Sequence, residues 1–518
     1  MVRIQALFTG LAVLLAVPFG APVTSAQAAV VDGCASGVTS DFNGDGWSDA
    51  VVGDPFAGVD GRAQAGRIVV LYGDNDGLVG EGARDVLWQG AAAVGEVAET
   101  GDRFGFSLAV ADLNCDDFTD VVVGTPLEDI GSHTDSGYVQ VLWGGAAGLG
   151  SSAPATGYTQ TWFGGALASG DQFGYAVDAV EDVGQDGTPS PDAYALAIGV
   201  PGANISGHND AGAVAVEAAY DGGSQAYWIS QDTPGIPGAA ERGDRFGAAV
   251  SCNYLSGVTY EIDCAVGSPN EDVGSKKDAG GVTVVQDIGF GLAAVGVALD
   301  QNARGVPGTA EAGDFYGRSL DTIVVGKTAR LAVGAPGEDV GSDRNAGTVQ
   351  LFSSDRHDIN PGTGLTQDTR GVGDSTQSGD IFGDDVVWIA PGLGDPQTRL
   401  VVSTPKEDTG AGEDAGLVQV FPMNNLALDA AWTQDSTGVP GTAATGDGFG
   451  QTLAVVAGNT ERVLMVGTPD DTALITGMVD VIPLNGGTPR SWAPGGAIPT
   501  AGASRFGDSL GGVSGGAA

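Results

Sequence analysis

The sequence predicts an all-β protein, a seven-bladed β-propeller of four-stranded antiparallel blades closed by the C-terminal strand joining the N-terminal blade. Three observations predict it. A Gly-x-Pro or near equivalent closes an apolar run seven times, at Gly53-Asp54-Pro55, Gly124-Thr125-Pro126, Gly199-Val200-Pro201, Gly267-Ser268-Pro269, Gly334-Ala335-Pro336, Ser403-Thr404-Pro405 and Gly467-Thr468-Pro469. The prolines lie 71, 75, 68, 67, 69 and 64 residues apart, and a fixed period of this length signals a repeat architecture. A second marker, Phe-Gly, keeps the same interval at Phe104, Phe173, Phe246, Phe382, Phe449 and Phe506, with Phe315-Tyr316-Gly317 as a variant. Between the markers each unit reads as about four short strands, without a convincing helical period.

Residues 1–28 hold one charge, Arg3, then an apolar run through Phe19 and the small-residue site Ala26-Gln27-Ala28, the pattern of a secretory signal cut before Ala29. Pro18, Gly20 and Pro22 interrupt the run before it could span a bilayer. No membrane span is expected after cleavage, and the mature product is expected to be secreted. Residues 29–40 form a short N-terminal segment, and 41–518 the propeller. In the unit 104–143, Phe104 to Ala111 alternates like a half-buried strand, an Asp/Asn-rich turn follows, and Asp120-Val-Val-Val-Gly124 reads as a buried second strand. A polar loop leads to a third strand, Gly137 to Trp143, and a weaker fourth lies near Tyr158 to Trp162. Pro55 has no Phe-Gly before it and Phe506-Gly507 no Gly-x-Pro after it, so the C-terminal segment can supply the first strand of the N-terminal blade and leave no open edge.

The formal charge is −44, and removing residues 1–28 removes Arg3 and no acid, making it −45. Such a surface repels phosphate backbones, so nucleic acid is excluded as a natural partner and divalent cations are favoured. Solubility alone is the simpler reading of most of that charge. Two turns go further. Asp41, Asn43, Asp45 and Asp49 set oxygen side chains at positions 1, 3, 5 and 9, with the Trp47 carbonyl at position 7. Asp112, Asn114, Asp116, Phe118 and Asp120 repeat the arrangement, with Asp117 where the first copy has Gly46. Calcium wants six to eight oxygens, which such turns supply. Valine, not glutamate, stands at position 12 in both (Val52, Val123), which excludes an EF-hand. A third turn, with Asp182 and Asp186, carries an insertion and is an even choice between a calcium site and a plain Asx turn.

Phe-Gly, an Asp-rich turn and Gly-Ala-Pro, recurring in order, resemble the FG-GAP repeats of the integrin alpha-subunit propeller and of secreted bacterial integrin-like proteins. The resemblance covers residues 41–518 and implies seven blades with Ca²⁺ in the loops between first and second strands. It departs at Ser403, which replaces a glycine, and at an apparent insertion at Tyr316. In integrin propellers the opposite face meets ligands and the partner subunit. On that face His133, His208, Lys276, Lys277 and Arg344 break the repeat and are the ligand candidates, ordinary solvated side chains being the competing explanation.

Other motifs reduce to scaffold. Arg242-Gly243-Asp244 spells an integrin-recognised tripeptide, but its Gly-Asp recurs ahead of most Phe-Gly markers. Ser509 in Gly507-Asp-Ser-Leu-Gly511 imitates a nucleophile elbow without the helix that motif needs. Paired carboxylates at Glu128-Asp129, Glu271-Asp272, Glu338-Asp339 and Glu407-Asp408 recur and so read as turn capping. Four cysteines in an exported chain suggest two disulfides; Cys252 and Cys264 flank a hairpin, leaving Cys34 with Cys115, though other connectivities stay open. The expected function is non-enzymatic: a monomeric extracellular binding or adhesion module for a protein or glycan. The alternative is a hydrolase or lyase, since similar repeats accompany the catalytic domain of a phosphatidylinositol-glycan-specific phospholipase D. With only residues 29–40 ahead of the first blade, no separate catalytic domain is expected.

Overall fold

Short apolar runs ending at glycine and proline give short strands, and a run buried on both faces must be covered by a sheet on each side. A computed structural model describes residues 40–512, apart from 76, 79–83, 182–193, 221–222, 256–261, 289–294, 326–327, 356–357, 394, 458–461, 475, 496–497 and 503. Among these residues the strands form seven four-stranded antiparallel sheets. The unit following the first Phe-Gly is typical, with strands Ser107–Ala111, Asp120–Thr125, Tyr138–Leu142 and Thr156–Tyr158 in spatial order. Its second strand is buried at every residue. We number the blades 1 to 7 by the Gly-x-Pro each contains. The innermost strands of successive blades touch one another all the way round, from Ser509–Gly511 through Ser107–Ala111 to Thr452–Ala457 and back. The apolar core therefore lies between blades: Val51, Ile68 and Val70 of blade 1 pack against Val110, Val121 and Val123 of blade 2.

The two markers lock one blade to the next. Phe104 stands before the first strand rather than in it, correcting the expected start, and its N–H donates to Ala65 O of the preceding blade at 2.9 Å. The same bond joins Phe173 to Ser136, Phe246 to Ala211, Tyr316 to Ala279, Phe382 to Ala346, Phe449 to Ala415 and Phe506 to Thr476, at 3.0–3.1 Å. All seven rings are fully buried. The Gly-x-Pro glycine is needed because the next blade's backbone comes so near: a Cβ on Gly124 would lie 2.2 Å from Gly174 O. Ser403 stands where the other units carry that glycine, its Cβ lying 3.6 Å from where a Cβ on Gly450 would be. Its Oγ accepts the Asp385 N–H at 2.8 Å.

Tyr316 is no insertion. It takes the place of phenylalanine in the lock and displaces Phe315 one position toward solvent. The ring closes as the sequence predicts, with Ser509, Leu510 and Gly511 pairing antiparallel with Gly53, Val52 and Val51. Cys252 and Cys264 are cross-strand partners in blade 4 and form a disulfide. Cys115 is also disulfide-bonded, whereas Cys34 lies outside the described residues.

Candidate functional site

Each acidic turn is first a folded Asx structure. In the first, Asp41 accepts the N–H groups of Gly44 (2.7 Å) and Gly46 (2.8 Å), Asn43 that of Asp45 (2.9 Å), and Asp45 that of Trp47 (2.9 Å). Asp49 accepts from Phe42 and Gly73, both at 2.8 Å. The second copy reproduces this order. Asp112 accepts from Asp116 (3.2 Å) and Asp117 (3.1 Å), Asn114 from Asp116 (3.0 Å), Asp116 from Phe118 (3.1 Å), and Asp120 from Leu113 (2.9 Å) and Gly144 (2.8 Å). Asp117 adopts φ 68°, the left-handed conformation that Gly46 adopts at 88°.

Burial pushes the Asp49 carboxyl up to about 8 and Asp112 to about 6, and holds Asp120 well above the ordinary range. Asp41 and Asp116 are raised for the same reason. Among the described residues none of these five carboxylates has an ion-pair partner, and no group of three or more His, Cys, Asp or Glu side chains is gathered so as to hold a metal ion. The donor set nonetheless suits a hard cation: each carboxylate oxygen keeps a second lone pair beyond the N–H it accepts, and buried negative charge without a counter-charge is what a divalent ion relieves.

The two turns are linked. Thr119 N–H donates to Asp41 O (2.8 Å), and Gly145 N–H to Phe42 O (3.0 Å). Glu181, which sequence reasoning passed over, extends the chain to blade 3 by accepting the Asp112 N–H, and burial raises its carboxyl to about 7. It stands immediately before the third turn, the one signal that marked it. Asp182 and Asp186 lie outside the described residues.

At the other end of the blades the paired carboxylates divide their work. The aspartates Asp129, Asp272, Asp339 and Asp408 each accept the backbone N–H six residues on, at 2.9–3.0 Å, closing their own loops. The glutamates accept from a glutamine in the incoming connection: Gln89 to Glu128 and Gln231 to Glu271, both at 2.6 Å, Gln301 to Glu338 and Gln367 to Glu407. The Gly-Asp aspartates cap the N–H three residues back, and Asp244, only 2 % exposed, accepts that of Glu241 at 2.6 Å. The Arg242-Gly243-Asp244 carboxylate is thus enclosed by its own turn. Ser509 likewise spends its hydroxyl on Gly105 O at 2.6 Å, inside the innermost strand of blade 1.

His133, His208 and Lys276 occupy equivalent positions at the loop tips of blades 2, 3 and 4, each bridged to an apolar residue three back. Lys277 and Arg344 follow that position in blades 4 and 5, and their carbonyls accept Gly313 and Gly379 N–H. The Lys277 side chain is 77 % exposed. With four blades between them, these five residues are not gathered into one site. What sequence reasoning missed are the side chains beside the two markers, Arg103, Arg245, Phe315, Arg318 and Arg505 at the locks and Lys406 after Pro405, whose signal was their variability beside fixed neighbours.

A family model described as "FG-GAP repeat" matches residues 35–71 and 104–142. The chain is 39 % identical over 117 residues to phosphatidylinositol-glycan-specific phospholipase D of Rattus norvegicus, which is 22 % of this chain and 14 % of that protein. It is 24 % identical over 343 residues to the protein of the same name in Dictyostelium discoideum, covering 63 % and 34 %. To human integrin alpha-7 it is 34 % identical over 120 residues, covering 21 % and 9 %. The chain thus carries FG-GAP repeats like those of integrin alpha subunits, and its match spans about a seventh of the rat phospholipase D and about a third of the Dictyostelium one. These relatives come from rat, human and Dictyostelium, so the expected bacterial likeness is not borne out. No helix among the described residues is long and apolar enough to cross a membrane.

Proposed function

We propose that this FG-GAP propeller is a secreted, calcium-stiffened binding module that presents its loop-rich face to an extracellular protein or glycan. One observation carries the reading: on that face the recurrent acids are consumed by scaffold hydrogen bonds, while cationic residues that do not recur stand exposed. A rigid ring with variable loops suits recognition. At the opposite end Asp41, Asn43, Asp45 and Asp49, with Asp112, Asn114, Asp116 and Asp120, would hold Ca²⁺. The ion would supply the counter-charge that these buried carboxylates lack and tie blades 1 to 3 together. Capture on glycan and matrix-protein arrays, with calcium and with EDTA, tests the reading. Calcium-dependent capture without turnover is the expected result, and no capture under either condition overturns it.

The phospholipase D relatives favour a second reading, in which the propeller serves an extracellular hydrolase or lyase. Product release from a panel of glycans and phosphodiesters would support it.

A further inference from the structure

We propose that the cleft where blades 4, 5 and 6 meet on the loop-rich face is a binding site for an acidic sugar unit, a hydroxylated ring bearing a carboxylate. This deepens the binding-module reading and rests on it. The cavity holds about 390 Å³, within the range of small-ligand pockets and sufficient for one or two sugar rings. Its walls include Phe315 and Arg318 on either side of the blade 5 lock, Asn270 and Asn345 from the loops of blades 4 and 5, and Asp384 and Lys406 from blade 6.

The repeat explains why the cleft forms here. With Tyr316 filling the buried lock, Phe315 adopts φ 53° and stays 36 % exposed. The equivalent residues Arg103, Gln172, Arg245 and Ile381 share that left-handed conformation, so the backbone belongs to the repeat while the side chain is free to vary. Only here does the position carry an aromatic ring.

The electrostatics select an anion. The whole chain has 21 Lys and Arg against 65 acids, yet this one cavity is lined by two cations. Arg318 Nε lies 3.9 Å from Asp384 Oδ1, and the guanidinium-bearing side chain remains 51 % exposed. Lys406 is exposed as well. Asp384 offsets one of the two positive charges, leaving a net charge of one among the lining side chains of a strongly negative protein, which favours an anionic ligand here. Arginine is suited to a carboxylate because its planar fork can meet both oxygens. The Phe315 ring offers an apolar face to a sugar's C–H surface, and the Asn270 and Asn345 amides donate and accept in the manner hydroxyls require. An extended acidic peptide has few hydroxyls for those amides and needs a longer groove than this cavity.

The test is calorimetric titration of the full chain, in calcium, with oligogalacturonate, its neutral methyl-ester counterpart and an oligoglutamate peptide. The acidic oligosaccharide is expected to bind at least tenfold more tightly than the other two, and more weakly as salt rises. The double variant Arg318→Gln/Lys406→Gln should lose at least tenfold in affinity, and Phe315→Ala severalfold, each keeping the parent melting temperature, while Arg490→Gln, on the exposed outer strand of blade 7, binds as the parent does. Equal binding of the neutral oligosaccharide, preference for the peptide, or undiminished binding by the double variant would each overturn the acidic-sugar site. If the array of the preceding subsection still captures a ligand and the double variant retains it, the module reading survives and this site alone fails. No capture at all removes both.

Discussion

Phe315 and Tyr316 show how one residue's place is set by its neighbours' backbone rather than by its own chemistry. Either aromatic could have filled the lock, but the N–H that reaches Ala279 O belongs to Tyr316, and the spacing to Gly317 fixes that choice. The pair therefore separates scaffold from surface in one experiment. Tyr316→Ala removes a fully buried ring and should cost about 3–5 kcal/mol. Phe315→Ala removes a ring already in part solvated and should shift stability by about 0.5 kcal/mol or less. Thermal unfolding of the two variants checks this, and an equal loss would mean that Phe315 shares the lock. The sequence alone could not rank the two, because Phe-Tyr-Gly reads equally as an insertion and as a substitution. It did expose Asp244 as scaffold, since a carboxylate recurring ahead of five other locks has a turn to cap.

At the scale of the element, the loop-face glutamates and the acidic turns are opposite uses of buried carboxylates. Burial raises Glu128 and Glu407 to about 8, and Glu271 and Glu338 to about 7, with Asp102, Asp244, Asp314 and Asp380 nearby at about 6. A raised folded-state value means that the folded chain holds its proton more tightly than the unfolded chain, where glutamate titrates near about 4.3. The stabilisation is therefore complete below that value and is lost as pH climbs through 7 and 8. In EDTA the melting temperature should rise as pH falls from 8 to 5, and Glu128→Gln/Glu407→Gln, which keeps an amide partner but cannot titrate, should flatten the slope. A parent chain whose melting temperature stays level over that interval refutes the assignment.

The acidic turns should answer to calcium instead. Asp45→Ala, at an exposed position, and Asp116→Ala, at a partly exposed one, are expected to abolish the melting-temperature gain on adding calcium, and an undiminished gain would sink the proposed sites. Four aligned oxygens in two copies were legible in the sequence. Their mutual contact through Thr119, and the part taken by Glu181, were not, because those depend on which blades become neighbours.

Closure of the ring is the property of the whole molecule that the seven-fold repeat implies but does not explain, since blade 1 is assembled from two distant parts of the chain, Ser509–Gly511 pairing with Ala50–Asp54. The seam has chemistry of its own. Asp54, the middle residue of the first Gly-x-Pro, is acidic where the other six units have Thr, Val, Ser or Ala. It is fully buried, pairs with Arg67 at 2.9 Å, and accepts from Ser504 Oγ (2.7 Å) and Arg505 N–H (3.0 Å). Arg67 in turn donates to Pro499 O at 2.7 Å. Burial raises the Asp54 carboxyl despite the guanidinium beside it. The pair therefore fixes the seam more than it adds net stability, and what costs is leaving one partner behind. Asp54→Ala strands a buried guanidinium that cannot shed its proton, and should cost about 3–5 kcal/mol at any pH. Arg67→Met strands a carboxylate, which can be neutralised by taking a proton. Its folded-state value must then rise further, so the variant's deficit relative to the parent should be largest near pH 8 and shrink toward pH 5. Subtracting the parent's melting curve at each pH removes the contribution of the loop-face acids. A deficit for Arg67→Met that stays constant, or one for Asp54→Ala that shrinks alongside it, would show that the seam is held by the strand pairing of Ser509–Gly511 alone.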